Sequence, residues 1–461
     1  MTQDPFELTA TQMLRAYAGR QLSPVVVMAS VLERVDKVNP ALNALVFIDP
    51  EAALAEARAS EARWAQGRPK GLLDGVPITI KDSIAEASRP MLRGLKANAG
   101  GKPSGYDAPP TARVKEAGAI VFAKTTMPDF GLLASGVSSA YGVTRNPWNL
   151  AFNPGGSSSG ASASIAARCG PLAVGSDIGG SVRIPAGLCG LVGFKPTQGR
   201  IPHLPPSPVR SAGPITRTVA DNALLLTALA EPDRRDYGSL PPDPTRYHER
   251  LDRDLKGVRI GLILEGDSGQ PPEPAVAEAI ERAAAQFAAA GAHVARLPSV
   301  VGADFMEIVG VLFLIRGYNE FSRLPQAAKA FVPDHFSAWF DKIGGYSAID
   351  VGASMDRLEA TKARVLGQMA EYDYLISPVS AFSAFPAEAL QASKPGEPNT
   401  LYTPVWNQTG NPAISVNCGF DPGNGMPIGL QIVGHHYDDL GVLQMAAAYE
   451  RLRDFETAWP D

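Results

Sequence analysis

Two serines and one lysine are the residues of this sequence whose types and surroundings best suit covalent chemistry. Ser157 and Ser181 each follow two consecutive glycines, and Lys81 ends an apolar run that is typical of a buried strand. A serine hydroxyl is a weak nucleophile near neutral pH and needs a base. A lysine can be that base when desolvation lowers its pKa enough to leave a neutral amine. These residue types therefore suit cleavage of an amide, ester or carbamate through an acyl-enzyme.

A second hydroxyl would complete a proton path between a lysine and a nucleophilic serine. It can accept one proton while it donates another, so no histidine is required. The tetrahedral intermediate also needs N–H groups directed at its oxyanion, and the glycines before Ser181 let the backbone turn tightly enough to supply them. We therefore assign Ile178, Gly179 and Gly180 to an oxyanion hole.

The segment from about Gly131 to Gly199 is rich in Gly, Ser, Ala and Pro and is too long for an ordinary loop. It does not read as a flexible linker, because it contains a helix candidate from Ser159 to Arg168 and a strand candidate from Leu172 to Val174. The segment therefore predicts an ordered, backbone-built site.

The block from Gly155 to Arg200, GGSSSGASASIAARCGPLAVGSDIGGSVRIPAGLCGLVGFKPTQGR, closely resembles the signature of the amidase-signature family of serine hydrolases. GVPITIKD resembles that family's lysine motif, and MPDFG, YGVTRNPWN, GPITRTVAD and TGNPAISV match its flanking segments, so the resemblance covers most of the chain. It implies a Ser-cisSer-Lys triad in which Lys81 is the base, Ser157 the bridging serine after a cis peptide bond, and Ser181 the nucleophile.

Further residues are expected to support the triad or to contact substrate. We expect support from Asp177, Arg183 and Ser158, and a substrate pocket that includes Tyr106, Met127, Tyr141 and Trp406.

The segment at about 83–110 departs from the family pattern. The family usually continues after its lysine motif with a short Gly-containing loop that bears Thr or Ser, whereas here the segment is irregular and carries Arg93. An unusual pocket for the acyl part of the substrate is therefore expected.

Residues of about 300–400 are expected to form a variable region that shapes substrate binding. The part from Asp304 to Ile349 is rich in Phe, Leu, Tyr and Trp, and in this family the middle of the chain commonly shapes the leaving-group side. The same residues would also fit a core. An apolar or aryl amide is the favoured substrate, and an aryl carbamate (urethane) is the alternative.

A different nucleophile is the first competing interpretation. Gly156 to Gly160 also fits the G-x-S-x-G nucleophile elbow, which would make Ser158 the nucleophile with a later Asp and His. The elbow must follow a strand directly, whereas RNPWNLAFNP precedes it, and only the pair His435-His436 lies suitably downstream. We therefore prefer Ser181.

A different function is the second competing interpretation. The A subunit of tRNA-dependent amidotransferases shares this fold and releases ammonia from glutamine, but it normally has Gln after the arginine of its GGSxRQP motif. Here Ile184 follows Arg183, and IPHLPPSPVRSAGP replaces a YGLVAFASSLDQ-like stretch. A non-catalytic binding protein on the same scaffold is the third interpretation, and the presence of all three triad residues argues against it.

Composition limits the remaining function classes. The 461 residues include 42 Lys and Arg against 47 Asp and Glu, with no long run of either sign, so the expected partner is a small molecule and not nucleic acid. The three cysteines and six histidines show no metal-binding spacing, and no nucleotide-binding motif occurs, so we expect neither metal nor cofactor. No signal region or apolar stretch long enough for a membrane span is evident, so we expect a cytoplasmic monomer or homodimer.

The elements that position these residues alternate between strands and helices. Ser23-Pro24 begins a helix predicted to stop at Asn39-Pro40, and a second helix follows over residues 51–67. Strands are predicted at Val76–Ile80 and Ala119–Phe122, and further strand and helix signals alternate from VRIGLIL onward. We predict a single α/β amidase-signature domain over 1–461, with its signature core at about 70–230. Its mixed, mostly parallel twisted sheet should be covered by helices on both faces.

Overall fold

The computed structural model describes residues 4–266, 269, 271–391 and 402–461. Residues 392–401, which include the end of the region predicted to shape substrate binding, lie outside the described residues. The α-helices, in chain order, are Ala10–Ala18 (α1), Pro24–Leu42 (α2), Pro50–Ala65 (α3), Pro109–Glu116 (α4), Ser159–Ala166 (α5), Arg183–Leu188 (α6), Val219–Leu229 (α7), Pro274–Ala289 (α8), Phe305–Ser322 (α9), Gln326–Lys329 (α10), Asp334–Asp341 (α11), Ala348–Met369 (α12), Val405–Gln408 (α13) and Asp439–Leu452 (α14).

The described strands form one large sheet and one short hairpin. In chain order they are Leu45–Val46 (β1), Pro77–Lys81 (β2), Ile120–Thr125 (β3), Val137–Ser138 (β4), Gly142–Val143 (β5), Leu172–Asp177 (β6), Val192–Lys195 (β7), Ser211–Thr216 (β8), Arg259–Ile263 (β9), His293–Leu297 (β10), Tyr374–Pro378 (β11), Ala413–Phe420 (β12) and Pro427–Val433 (β13).

The large sheet has the strand order β1-β3-β2-β6-β8-β7-β12-β13-β11-β9-β10, and β4 pairs with β5. Its pairings are parallel between β3, β2 and β6 and between β11, β9 and β10. They are antiparallel across the middle of the sheet, from β6 to β11, and between β1 and β3. The predicted single α/β domain with a mixed sheet is confirmed, with fewer parallel pairings than the alternation of strands and helices indicated.

Helices cover both faces of this sheet. Successive side chains of a strand point to opposite faces. On β6, Leu172 and Val174 belong to the main hydrophobic core, whereas Ala173 packs in a separate cluster with Ala161 of α5 and Ala186 of α6. The helical covering predicted for both faces is therefore present.

Helix α2 ends later than the sequence predicted. Ser23 caps α2 by accepting a hydrogen bond from the N–H of Val25, as expected, but the helix continues past Pro40 and ends at Leu42. Asn43 then adopts the left-handed conformation and closes the helix. Pro40 does not stop the helix as predicted. Among the described residues, no helix is long and apolar enough to cross a membrane.

Candidate active site

The sheet order places the lysine motif beside the second glycine-serine motif. Strands β2 and β6 are parallel neighbours, with Ile78 opposite Leu172 and Ile80 opposite Val174. Because parallel strands end at the same edge of a sheet, Lys81 at the end of β2 lies next to the turn that follows β6. Two segments that are distant in the sequence thus meet at one edge.

Lys81 is fully buried and contacts the bridging serine predicted from the sequence. Its Nζ lies 2.8 Å from Ser157 Oγ and 3.2 Å from the carbonyl oxygen of Ser176. Burial lowers the pKa of Lys81 well below its usual value; the Asp177 carboxylate opposes this shift and nearby arginines add to it. The site therefore favours a neutral amine that can accept a proton.

Ser157 lies at a constricted point of the backbone. The Gly156-Ser157 peptide bond is cis, as the family resemblance implied. A Cβ at Gly156 would lie within 2.6 Å of the backbone N of Ser135, so only glycine fits this approach. The Ser157 side chain is 3% exposed, on the wall of a cavity shared with Ser181.

Ser158 does not occupy a nucleophile elbow. Among the described residues, the nearest preceding strand, β5, ends at Val143, and the chain before Gly155 is irregular. The Ser158 side chain is fully buried, with Oγ 3.4 Å from the carbonyl oxygen of Ser176. Its backbone N–H donates to the carbonyl of Ser181 at 3.1 Å, so it connects the two serine segments.

One carboxylate holds the turn that carries Ser181. Asp177 Oδ1 accepts the N–H of Gly180 at 2.7 Å, and Oδ2 accepts the N–H of Val182 at 3.1 Å. Arg183 donates to both oxygens at 3.0 Å, from Nε and Nη2. The Arg183 charge and these hydrogen bonds outweigh burial and hold the pKa of Asp177 well below its usual range. Asp177 and Arg183, both predicted to support the triad, thus contact each other and the turn that carries Ser181.

Gly180 is a correction to the predicted oxyanion hole, because its N–H is taken by Asp177. No described residue accepts a hydrogen bond from the N–H groups of Ile178, Gly179 or Ser181. Gly180 instead serves the turn: its φ is +117°, and a Cβ there would collide with the Thr403 side chain. Sequence reasoning did not consider the Ser181 N–H, which is free in the same way.

Arg183 extends this network to segments that the sequence did not connect to the site. Its Nη1 donates to the Thr403 carbonyl at 3.0 Å and to Gln431 Oε1 at 2.7 Å, and Nη2 donates to Asn407 Oδ1 at 2.7 Å. Asn407 also donates to Asp177 at 2.9 Å. Nothing in the local sequence around Asn407 or Gln431 indicated this role.

A small cavity of about 20 Å³ opens beside the triad, which we call the catalytic cavity. Ser157 and the half-buried Ser181 share its wall, while Lys81 lies behind Ser157. The wall consists of Ser83, Arg93, Met127, Phe130, Gly131, Ser157, Ser176, Ile178, Ser181, Arg210 and Arg316.

Of the four residues predicted to contact substrate, only Met127 lies in the wall of the catalytic cavity. Tyr106 is 44% exposed outside it. Tyr141 is partly buried, and burial together with the nearby Asp82 raises the pKa of Tyr141. Trp406 is fully buried in a core cluster that includes residues of α9 and α12. The aromatic character of these three side chains did not indicate which way they face.

A larger apolar cleft of about 300 Å³ is lined mainly by α9 and α11. Phe313 connects it to the catalytic turn, because a Cβ at Gly179 would lie 3.1 Å from the Phe313 ring. Leu132 follows the cavity residue Gly131 in the chain. The wall of this apolar cleft consists of Leu132, Gly310, Phe313, Leu314, Trp339 and Lys342.

The histidines that the elbow interpretation required make contacts of another kind. His435 Nε2 lies 2.8 Å from the carbonyl of Tyr372, and His436 contacts the carbonyl of Thr409. Within the described part of the chain, no group of three or more His, Cys, Asp or Glu side chains is arranged to hold a metal ion.

Comparison with known proteins identifies the family of the chain. The amidase family model matches residues 26–443. An acylamidase from Rhodococcus erythropolis is 35% identical over 98% of this chain and 97% of its own length. The glutamyl-tRNA(Gln) amidotransferase A subunit of Chloroflexus aurantiacus is 33% identical over 98% of both chains. The crystal structure of a bacterial aryl acylamidase of the amidase signature family superposes with a TM-score of 0.89 and 28% identity, over 97% of this chain and 96% of that chain.

These similarities extend over nearly the whole chain, and the residues matched by the family model include Lys81, Ser157 and Ser181. The chain therefore belongs to the amidase signature family, as its motifs predicted, and is a hydrolase of carbon–nitrogen bonds in amides.

Proposed function

We propose that the protein hydrolyses apolar aryl amides through an acyl-enzyme on Ser181, with Ser157 as the proton bridge and Lys81 as the base. The observation that carries this proposal is the buried Lys81 amine, whose pKa is lowered and whose Nζ lies 2.8 Å from Ser157 Oγ. A base must lie within hydrogen-bond distance of the group it deprotonates, and this pair meets that condition.

Each bond change of the reaction is accompanied by a proton transfer along the path from Ser181 through Ser157 to Lys81. Ser181 Oγ attacks the carbonyl carbon while its proton passes to Ser157, and the Ser157 proton passes to Lys81. When the C–N bond breaks, the proton returns through Ser157 to the leaving nitrogen. Water then attacks the acyl-enzyme and loses its proton along the same path, which releases the acid and regenerates Ser181.

The free N–H groups of Ile178, Gly179 and Ser181 support an oxyanion hole in the turn before the nucleophile. Each preorganised donor of this kind lowers the barrier by about 2.7–4 kcal/mol. The Asp177 hydrogen bonds to Gly180 and Val182 fix the turn before substrate arrives.

The apolar cleft supports an aryl leaving group. It lies in the region that we predict to shape substrate binding, at about 300–400, and Phe313 links it to the turn at Gly179. The similar acylamidase and aryl acylamidase cleave amides, according to their names. An aryl carbamate passes through the same type of intermediate, so urethanase activity is the alternative within this proposal.

A screen of an anilide, a primary amide and an aryl carbamate of matched acyl size tests the substrate. We expect the highest kcat/KM for the anilide, and the proposal is wrong on this point if the primary amide is preferred. Ser181→Ala should abolish turnover and labelling by a serine-directed phosphonate. Ser158→Ala is the matched control. If Ser158→Ala lost activity while Ser181→Ala kept it, Ser158 would be the nucleophile, as the elbow interpretation requires.

Partitioning of the acyl-enzyme tests the covalent step. An ester and an anilide that share one acyl group should give hydroxamate in the same proportion when hydroxylamine is added, because both pass through one Ser181 intermediate. A slowly deacylating carbamate should add mass to the peptide that contains Ser181. Unequal partition ratios with no adduct would refute the acyl-enzyme.

The amidotransferase A subunit remains a second candidate, because those proteins match this chain over nearly its whole length. Against it, Ile184 stands where that subunit normally has glutamine, and its side chain is buried with Leu188, Val379 and Phe385. Glutaminase activity of the protein, alone or with the partner subunits, would favour this candidate over ours.

We further propose a cytoplasmic monomer or homodimer that acts on small molecules without nucleic acid. Three free, buried thiols, Cys169, Cys189 and Cys418, suit a reducing compartment. The net charge of -5, with no long run of Lys and Arg in the sequence, argues against a polyanion as the partner. Sedimentation of the purified protein measures the oligomeric state.

A further inference from the structure

Three arginines lie in the wall of the catalytic cavity, and they are not all paired. Arg93, Arg210 and Arg316 come from three separate segments and converge beside Ser181. Arg93 pairs with Glu320 at 2.8 Å, and Arg316 lies 3.7 Å from the same carboxylate. One glutamate thus serves two arginines.

Arg210 has no carboxylate partner at ion-pair distance among the described residues. Its side chain is 7% exposed, and its Nε is buried without any hydrogen-bond acceptor. One Nη2 contact, to the Pro205 carbonyl, holds the guanidinium in place. Burial and the charges of Arg316 and Arg93 lower the pKa of Arg210, while Glu320 and Asp236 act against this from longer range.

The other charges around the cavity do not compensate for these arginines. Asp177 is already neutralised by Arg183 at 3.0 Å, and Lys81 is held towards its neutral form by burial. Among the described residues, Glu320 is the one carboxylate at ion-pair distance from the three arginines, so the cavity wall carries an excess of positive charge in a partly desolvated setting. A buried charge is costly unless a counter-charge and hydrogen-bond acceptors meet it.

We propose that Arg210 and Arg316 bind a carboxylate on the acyl part of the substrate, so that the enzyme prefers amides of dicarboxylic acids. This rests on the proposed function, because the apolar cleft takes the aryl amine and leaves the arginine-lined cavity for the acyl part. A carboxylate is the simplest group that supplies both hydrogen-bond acceptors and a negative charge for the two guanidinium groups in the cavity wall.

The irregular segment after the lysine motif contributes Arg93 to the same group of arginines. Arg93 lies in it with φ +56° and donates to Glu320 from both Nε and Nη2, at 3.1 and 2.8 Å. This bidentate contact keeps Glu320 turned to Arg93, which leaves Arg316 with the weaker interaction. Arg93 is thus a positioning residue, while Arg210 and Arg316 face the substrate.

Matched substrates test this proposal on the whole protein. We compare aniline release from N-phenylsuccinamic acid with that from N-phenylsuccinamide, in which a neutral primary amide replaces the carboxylate. The acid should have a kcat/KM about 10- to 100-fold higher, because charge-assisted hydrogen bonds to buried groups are lost with the amide. A ratio of one or less would overturn the proposal, even if Ser181→Ala confirmed the acyl-enzyme with the neutral amide.

The ratio of the two kcat/KM values separates recognition from general effects on catalysis. Arg210→Gln and Arg316→Gln should each lower the ratio about tenfold or more, whereas Arg296→Gln, at an exposed ion pair with Glu281, should leave it unchanged. If the arginines served only to lower the pKa of Lys81, both substrates would change together and the ratio would persist, which would refute carboxylate binding.

Competition provides a test that needs no variant. Succinate should protect Ser181 of the native enzyme from phosphonate labelling at concentrations at least tenfold lower than succinamide does. Equal protection by the two compounds would count against the proposal. 4-(Butanoylamino)benzoate carries its carboxylate on the amine part, so its kcat/KM should not exceed that of butananilide. A clearly higher kcat/KM would place the carboxylate site on the leaving-group side and refute the assignment.

Discussion

Replacing Asp177 by asparagine tests whether one buried carboxylate organises the catalytic turn. Asp177 accepts hydrogen bonds from the N–H groups of Gly180 and Val182, two from Arg183 and one from Asn407. Asparagine keeps one acceptor oxygen and places an NH₂ donor against groups that are themselves donors. It also removes the counter-charge of Arg183, whose side chain is fully buried.

Two costs follow from this substitution. An unpaired buried charge costs about 3–5 kcal/mol, so the free energy of unfolding should fall by about that amount. A turn that no longer holds its N–H donors in place should lose about 10²–10³-fold in kcat, the usual loss for one oxyanion-hole donor.

The pH profile adds a signature that loss of stability alone would not produce. The Asp177 carboxylate raises the pKa of Lys81, so its removal should lower that pKa further. The rise of kcat/KM with pH should therefore shift to lower pH in Asp177→Asn, even though the maximum rate is smaller.

Urea unfolding and steady-state kinetics on the same preparations measure these effects. Asp373→Asn, which removes an exposed ion pair to Arg259 at 2.7 Å, is the matched control and should cost no more than about 1 kcal/mol. The double variant Asp177→Asn/Arg183→Gln should recover part of the lost stability, because it removes both charges. A stability change below about 1 kcal/mol with near-native kcat would refute the reasoning.

Three further predictions follow from single buried groups. For the native enzyme, kcat/KM should rise with pH through an apparent pKa below 10.5, because burial lowers the pKa of Lys81; a flat profile would contradict a lysine base. Gly180→Ala should lower kcat at least about 100-fold because its Cβ collides with Thr403, whereas Gly352→Ala, with open space on α12, should keep activity and stability. Burial lowers the pKa of Lys195 to about 7, so the unfolded chain binds more protons above that pH. The stability of the native protein relative to Lys195→Met should then increase between pH 7 and 8, by up to about 1.4 kcal/mol in urea unfolding; a decrease would contradict the assignment.

The residues of contiguous motifs were predictable because the reactive side chain and the residues that set its backbone conformation are neighbours in the sequence. Lys81 ends a strand whose apolar residues indicate that it is buried, and each serine follows glycines that permit a tight turn. Ser157 and Lys81 lie 2.8 Å apart, as the triad implied by the family resemblance requires. The alternating strand and helix signals likewise indicated an α/β domain, because periodicity is a local property.

Only the tertiary structure decided which polar groups are free and which distant side chains meet. The sequence assigned Gly180 to the oxyanion hole, but its N–H is consumed by Asp177 in a turn whose geometry no spacing rule specifies. It also suggested Trp406 for the pocket, whereas that ring packs in the core behind the site.

The arginines of the catalytic cavity illustrate the same limit. Arg93 and Glu320 stand 227 positions apart, and their contact depends on where the sheet order places the segment after β2 against α9. Local propensity and hydrophobic period determine each element, but the pairing of elements follows from the burial of whole faces. The sequence by itself therefore indicated the reaction type and predicted the three central residues. The fold determined the charge of the cavity, because the charged side chains in its wall come from separate segments that only packing brings together.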